Sequence, residues 1–209
     1  MSDAAPASRL FEPDSAEYDI LAEAVALAPA EGIFCEIGLR RGGGIKVILD
    51  GVAKRGMAAT VLSLDCYGHM PYMVTEDHRD DFDYHNAMRD ETLPGIYEYV
   101  RGKRINFVFF NLEDTEFFRR FADGVPIYAN KGKKVVNEYA FVHFDGQHTL
   151  GAVLTATRFI LNGRYMAGTS LCYDDIEGYD HQQVEAILLH NGYETIRKGG
   201  KKAAYRRAP

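Results

Sequence analysis

Apolar positions along this chain alternate between two spacings, those of strands and of helices. Runs in which nearly every residue is apolar, at 33–37, 60–64, 105–110, 139–144 and 166–172, read as strands buried on both faces, as in a parallel sheet. Between them apolar residues recur at three- and four-residue steps. Ile20, Leu21, Ala24, Val25 and Leu27 give a helix over 15–27, with Ser15 as N-cap and Pro29 as stop. Ile45, Ile48, Leu49 and Val52 share one face of a helix over about 44–55. Further helices are predicted over 116–122, 149–161 and 179–190, the last ended by Asn191 and Gly192. A small hairpin through Asn130 and Gly132 fits the polar stretch 126–138, and strands at 193–196 and 203–206 around Gly199 and Gly200 form a closing hairpin.

This rhythm predicts an α/β fold: a doubly wound, Rossmann-like, mostly parallel sheet with a C-terminal antiparallel hairpin. We expect a flexible N-terminal arm over 1–14 and a single domain over 15–209, with an insertion at about 67–101. That insertion is aromatic, acidic and histidine-rich, and its length suits a lid, a substrate wall or a contact between copies in a homo-oligomer. Asp77, His78, Asp81 and His85 fit one helix face too loosely for a dedicated metal site, so a solvated face is expected there.

The stretch Ile-Phe-Cys-Glu-Ile-Gly-Leu-Arg-Arg-Gly-Gly-Gly, residues 33–44, is hard to explain by packing alone. Four glycines crowd into positions 38–44 between a strand and a helix, where a backbone can approach a ligand and a helix N-terminus offers free N–H groups. Four strands end in acids: Glu36, Asp65, Asp145 and the pair Asp174/Asp175. In a parallel sheet these five carboxylates share one rim, where they repel unless a cation or hydroxyl donors lie between them. Glu36 and Asp65, beside the glycine loop, would face a nucleoside, Asp65 accepting from its ribose hydroxyls. Asp145, Asp174 and Asp175 suit Mg²⁺ or another hard divalent cation. His148 follows Asp145 at a helix start and is a candidate base, since its ordinary pKa lies near neutrality; it can equally cap the helix or orient Asp145.

Composition narrows the partners. A formal net charge of -6 over 209 residues argues against nucleic acid held through phosphates. The basic run of Arg197, Lys198, Lys201, Lys202, Arg206 and Arg207 reads as the solvated edge of the last hairpin. No apolar run approaches the roughly 20 residues that span a bilayer, and residues 1–10 lack a basic-then-apolar leader pattern. Three cysteines without a CxxC read as reduced, buried thiols in a cytoplasmic protein.

The glycine spacing fits neither the dinucleotide fingerprint nor the P-loop, and no GxSxG elbow occurs. The motifs Glu-Ile-Gly-Leu-Arg-Arg-Gly-Gly-Gly (36–44), Ser-Leu-Asp (63–65), Phe-Asp-Gly-Gln-His-Thr (144–149) and Tyr-Asp-Asp (173–175) together resemble those of class I S-adenosylmethionine-dependent methyltransferases, closest to the small-molecule O-methyltransferases of macrocin and catechol type. The resemblance covers about 33–207. It implies a Mg²⁺-assisted methylation of a small hydroxylated substrate, a sugar or a polyphenol. Gly38, Gly42 and Gly43 would pass under the methionine part of the cofactor, Glu36 would hold its amino group or ribose, and Asp65 its ribose hydroxyls. Asp145, Asp174 and Asp175 would bind the metal, with a nearby base taking the proton. Arg40 and Arg41 stand where that pattern has small residues and would meet the cofactor carboxylate or an acidic substrate. Gln147 stands where an acid is common. A non-catalytic binding protein on the same fold and, against the glycine spacing, a Rossmann oxidoreductase are the alternatives.

Overall fold

The computed structural model describes residues 10–68, 72–73, 79–80, 86–129 and 132–208. The chain opens with α1 (Tyr18–Leu27), β1 (Ile33–Ile37), α2 (Gly43–Lys54) and β2 (Ala59–Leu64). Two short strands, β3 (Tyr72–Met73) and β4 (Arg79–Asp80), precede α3 (Asn86–Val100) and β5 (Ile105–Phe110). Then come α4 (Asp114–Arg120), the hairpin of β6 (Val125–Ala129) and β7 (Gly132–Val136), β8 (Tyr139–Phe144) and α5 (Leu150–Leu161). The chain closes with β9 (Tyr165–Tyr173), a 3-10 turn at Ile176–Gly178, α6 (His181–His190), β10 (Tyr193–Lys198) and β11 (Ala203–Arg207).

Seven strands form one sheet in the order β10-β11-β9-β8-β1-β2-β5. Strands β1, β2, β5, β8 and β9 run parallel, and β11 is antiparallel to both its neighbours. From β1 the chain winds outward through β2 to β5, then returns to the other side of β1 at β8. The carboxyl ends of β1 and β8 therefore diverge at a switch point, where open α/β sheets bind ligands.

Strand residues alternate between two cores. Ile33, Cys35 and Ile37 pack with Phe117 and Phe118 of α4, Val153 and Ile160 of α5, and Val184 and Leu188 of α6. Phe34 faces the other way, onto Ile20 and Leu21 of α1, Ile45 and Leu49 of α2, and Ile96 of α3. Burial on both faces is why these strands read as continuous apolar runs instead of alternating ones.

The structure differs from the sequence reading at the start of α1. The helix begins at Tyr18, and Ser15 does not cap it. Glu17, in left-handed conformation at φ 57, instead accepts the backbone N–H groups of Gly200, Lys201 and Lys202 at 2.9, 2.8 and 2.9 Å. These bonds, that of Lys202 first, hold its carboxyl below the ordinary 4.5. The tie is thus fully present above pH 4.5 and is lost as pH falls through the lowered folded value. Glu17→Ala is expected to accelerate hydrogen exchange at those three amides and leave the β1 amides unchanged; equal exchange in both proteins would remove this role.

The basic C-terminal run finds acids of its own. Arg197 pairs with Asp19 at 2.7 Å and Lys198 with Glu185 at 2.7 Å, while Lys201 pairs with Glu177. Lys202 departs from the expected solvated edge, because it is 0% exposed and turned inward. Of the insertion, α3 is described, whereas His69, Asp77, His78, Asp81, Asp83, Tyr84 and His85 lie outside the described residues.

Candidate active site

The rim of acids is a physical edge. Each strand-end loop hydrogen-bonds to the end of the neighbouring strand: Gly38 N to Leu64 O, Asp65 N to Phe110 O, Asp145 N to Ile37 O and Asp174 N to Phe144 O, at 2.9 to 3.2 Å. Gly38, Asp65, Asp145 and Asp174 therefore line up along one edge, as the strand-end acids predict. Gly38 adopts φ +90, and a Cβ there would lie 1.9 Å from the Asp145 carbonyl oxygen. No other residue fits so close a crossing of the two loops.

A cleft opens beside that crossing, walled by residues 37–38, 64–66, 112–114 and 145–147 and enclosing about 480 Å³ together with its mouth. Ile37, Leu64 and Leu112 make it apolar, while Asp65, Glu113, Asp114 and Asp145 give it acceptors. Asp65 is held from behind: its Oδ2 accepts the N–H groups of Leu39 and Arg40, both at 2.8 Å. A carboxylate has about four acceptor positions, so capacity remains for a ligand. Burial pushes Asp114 up to about 6 and the half-buried Cys66 thiol up to about 11. Glu113, Asp114 and Cys66 were not among the residues expected to line a site. For Glu113 and Asp114 the available signal was the one that marks Asp65, an acid past an apolar strand, here separated from Phe110 by Asn111 and Leu112.

The remaining glycines clear parts of the protein itself. A Cβ on Gly42 would meet the Phe11 ring at 3.2 Å, and one on Gly43 would meet Glu12 O at 2.8 Å and Asp14 Oδ1 at 2.9 Å. Residues 11–14 thus lie across the N-terminus of α2, with Phe11 N bonded to Arg41 O at 2.8 Å. The arginines follow suit: Arg40 Nη1 reaches Asp14 at 3.2 Å and Arg41 Nη1 reaches Glu91 at 3.5 Å. Arg40, Gly42 and Gly43 do not line the cleft.

Glu36 also stands apart from the cleft. It pairs in register with His143 of β8 and Ser63 of β2, and its Oε1 lies 3.2 Å from His143 Nδ1 beneath Gly44. Burial pushes the Glu36 carboxyl well above the carboxylate range and lowers His143 to about 3. His143 is therefore neutral at neutral pH. Among the described residues, Ser63 Oγ, Glu36 Oε2 and His143 Nε2 have no hydrogen-bond partner.

The acids at 145, 174 and 175 do not fit a shared divalent cation as they stand. Asp174 Oδ2 lies 2.5 Å from Lys202 Nζ, both side chains being buried. Burial works against the Asp174 carboxylate, but His143 and Lys202 outweigh it and hold the group below its ordinary value. Because His143 is neutral, Lys202 is the lasting counter-charge. Asp175, at φ 45, faces His148 Nε2 at 3.7 Å and Lys201 Nζ at 3.6 Å. Burial, then Asp174, raises the Asp145 carboxyl well above its usual range. Glu36, His143 and Asp145 bring ligand atoms within 4.8 Å of one another.

His148 is nearly buried, with Nε2 at 3.9 Å from Asp145 Oδ1 and 3.7 Å from Asp175 Oδ2. Thr149, not His148, caps α5, its hydroxyl accepting Ala152 N at 3.4 Å. Burial lowers the His148 pKa, Asp175 and Asp174 opposing. A neutral imidazole between two acids on the rim can take up a proton and be stabilised once it has done so.

Solved structures share this architecture. The calicheamicin methyltransferase CalS11 superposes with a TM-score of 0.57 at 14% identity, over 90% of this chain and 76% of its own. The fold is that of a class I methyltransferase. The SAH-bound methyltransferase PaMTH1 of Podospora anserina gives a TM-score of 0.52 at 12% identity, over 85% of this chain and 72% of its own. Cofactor-bound Rv0187 from MTB gives 0.52 at 12%, over 95% and 85%. The sequence matches no protein-family model and no curated protein. On this methyltransferase fold, the cleft of Asp65, Asp114 and Asp145 occupies the edge where β1 and β8 part. No helix of the described residues is long and apolar enough to cross a membrane.

Proposed function

We propose that this chain is an S-adenosylmethionine-dependent methyltransferase acting on a hydroxyl of a small molecule, sugar-like or polyphenol-like. The observation that carries this reading is the acid-lined apolar cleft at the switch point. Its lining suits adenosine: Asp65 has acceptor capacity for two ribose hydroxyls, Leu64 and Leu112 offer apolar surface to a purine, and Asp114 can accept from an exocyclic amine. CalS11, on the same fold, is a TDP-rhamnose 3'-O-methyltransferase, which favours a sugar hydroxyl. When bound, the cofactor supplies an electrophilic methyl group on a sulfonium. The chain's part is to orient the acceptor for in-line attack and to take its proton. His148, kept neutral by burial, accepts that proton at Nε2, and Asp175 and Asp174 stabilise the imidazolium. The three free thiols suit a reducing compartment such as the cytoplasm.

The test is transfer of labelled methyl from S-adenosylmethionine to a panel of hydroxylated acceptors. An O-methyl ether is expected; a C- or N-methyl product contradicts the hydroxyl assignment alone. With an active acceptor, kcat/KM should rise with pH through a midpoint below the ordinary 6.5 of histidine and then level. His148→Gln should lower the plateau by roughly 10²–10⁴-fold and erase that limb. A limb that survives the substitution assigns the base elsewhere. The non-catalytic alternative has one point in its favour, that Gly42 and Gly43 clear the protein's own residues 11–14, and it predicts S-adenosylhomocysteine binding that is weak or absent.

A further inference from the structure

Several buried acids gather at the β1/β8/β9 edge, and a cation of the chain itself lies among them. Lys202 leaves the turn between β10 and β11 and is 0% exposed. Its Nζ meets Asp174 Oδ2 at 2.5 Å and Ser15 Oγ at 2.9 Å, and lies 5.0 Å from the centre of the Tyr18 ring. Around this ammonium stand a carboxylate as ion-pair partner, a hydroxyl as hydrogen-bond acceptor and an aromatic face. Ser15 in turn donates to Asp174 Oδ1 at 2.9 Å, closing a ring of polar contacts.

The turn that delivers this lysine is itself fixed. Glu17 takes the amides of residues 200–202, Ile176 N bonds Lys201 O at 3.0 Å and Gly199 N bonds Lys202 O at 2.8 Å. Lys202 is therefore held inward by both neighbouring backbone segments. Its charge also reaches Glu36 and Asp145, lowering both carboxyls against their burial. Removing the lysine side chain would leave a buried space with carboxylates, a hydroxyl and an imidazole around it, the ligand chemistry of a hard or borderline divalent cation.

We propose that Lys202 is the built-in counter-cation of the strand-edge acids, standing where a divalent metal ion would otherwise be needed, so that the site functions without one. The charge assignment stands on geometry; only its bearing on turnover rests on the methyltransferase reading.

Mn²⁺ titration followed by electron paramagnetic resonance tests this on the full chain, with S-adenosylhomocysteine binding measured alongside. The wild type should show no saturable Mn²⁺ site, and its S-adenosylhomocysteine affinity should not change with chelator. Lys202→Ala should gain one saturable Mn²⁺ site, and Mn²⁺ should raise its melting temperature. A wild-type Mn²⁺ site abolished by Asp174→Asn overturns the proposal, as does a folded Lys202→Ala protein that gains none. Should Lys202→Ala not fold, the wild-type titration with its Asp174→Asn control still decides. If S-adenosylhomocysteine binds no variant while the Mn²⁺ results are as expected, the methyltransferase reading fails and the lysine assignment stands.

Discussion

Alanine at position 38 is expected to cost about 3 kcal/mol or more of folding stability and to abolish cofactor binding. Two effects add. The backbone there has φ +90, where an L side chain is strained, and the new methyl would sit 1.9 Å from the Asp145 carbonyl oxygen. Backbone cannot swing aside as a side-chain tip can, because Asp145 N is already bonded to Ile37 O at 2.9 Å and Gly38 N to Leu64 O at 2.9 Å. The two strand ends must part, and with them Asp65 and Asp145, which wall the same cleft. Urea unfolding and S-adenosylhomocysteine calorimetry read both effects. Gly151→Ala is the contrast, since nothing lies within 4 Å of a Cβ there and its place in α5 predicts a gain of about 0.5–1 kcal/mol. A Gly38→Ala protein as stable as wild type would mean that the loops do not cross as described.

Lys202→Met should destabilise by about 3–5 kcal/mol, because it leaves Asp174 buried without its counter-charge. Both side chains are essentially excluded from water, at 0% and 1% exposure, so screening does little. The double variant Lys202→Met/Asp174→Asn should recover much of that loss, since two neutral groups need no partner charge. The pH dependence has a definite sign. Asp174 is held below the ordinary 3.8 in the folded chain, so its contribution is present above pH 3.8 and disappears as pH falls through the lower folded value. Unfolding free energies of the wild type and both variants across that range check it. Equal costs for the single and double variants would show that the pair is not the source of stability.

The sequence made the scaffold readable because parallel strands buried on both faces carry unbroken apolar runs, and four of the five such runs carry an acid at or next to their carboxyl end. Asp65 and Asp145 reached the cleft for that reason. Periodicity says nothing of contacts between distant segments. Ser15 and Lys202 are 187 positions apart and Ser15 and Asp174 are 159 apart, so a lysine in a basic hairpin read as solvated and a serine before a helix read as a cap. The arginines of the glycine loop were opaque in the same way, their acids lying on residues 14 and 91. Glu36 carried the strand-end signature of Asp65, but it lies within β1 on the α2 side, opposite His143. It is therefore buried under α2 instead of open to the cleft. The same fold can host several acceptor chemistries, which is why the motifs reach the cofactor before the substrate.

The most direct measurement is calorimetric titration of the full chain with S-adenosylhomocysteine. The account predicts one equivalent bound, with affinity weakened tenfold or more, at least about 1.4 kcal/mol, by Asp65→Ala and also reduced by Asp114→Asn. No binding by the wild type, or binding indifferent to both substitutions, would contradict it.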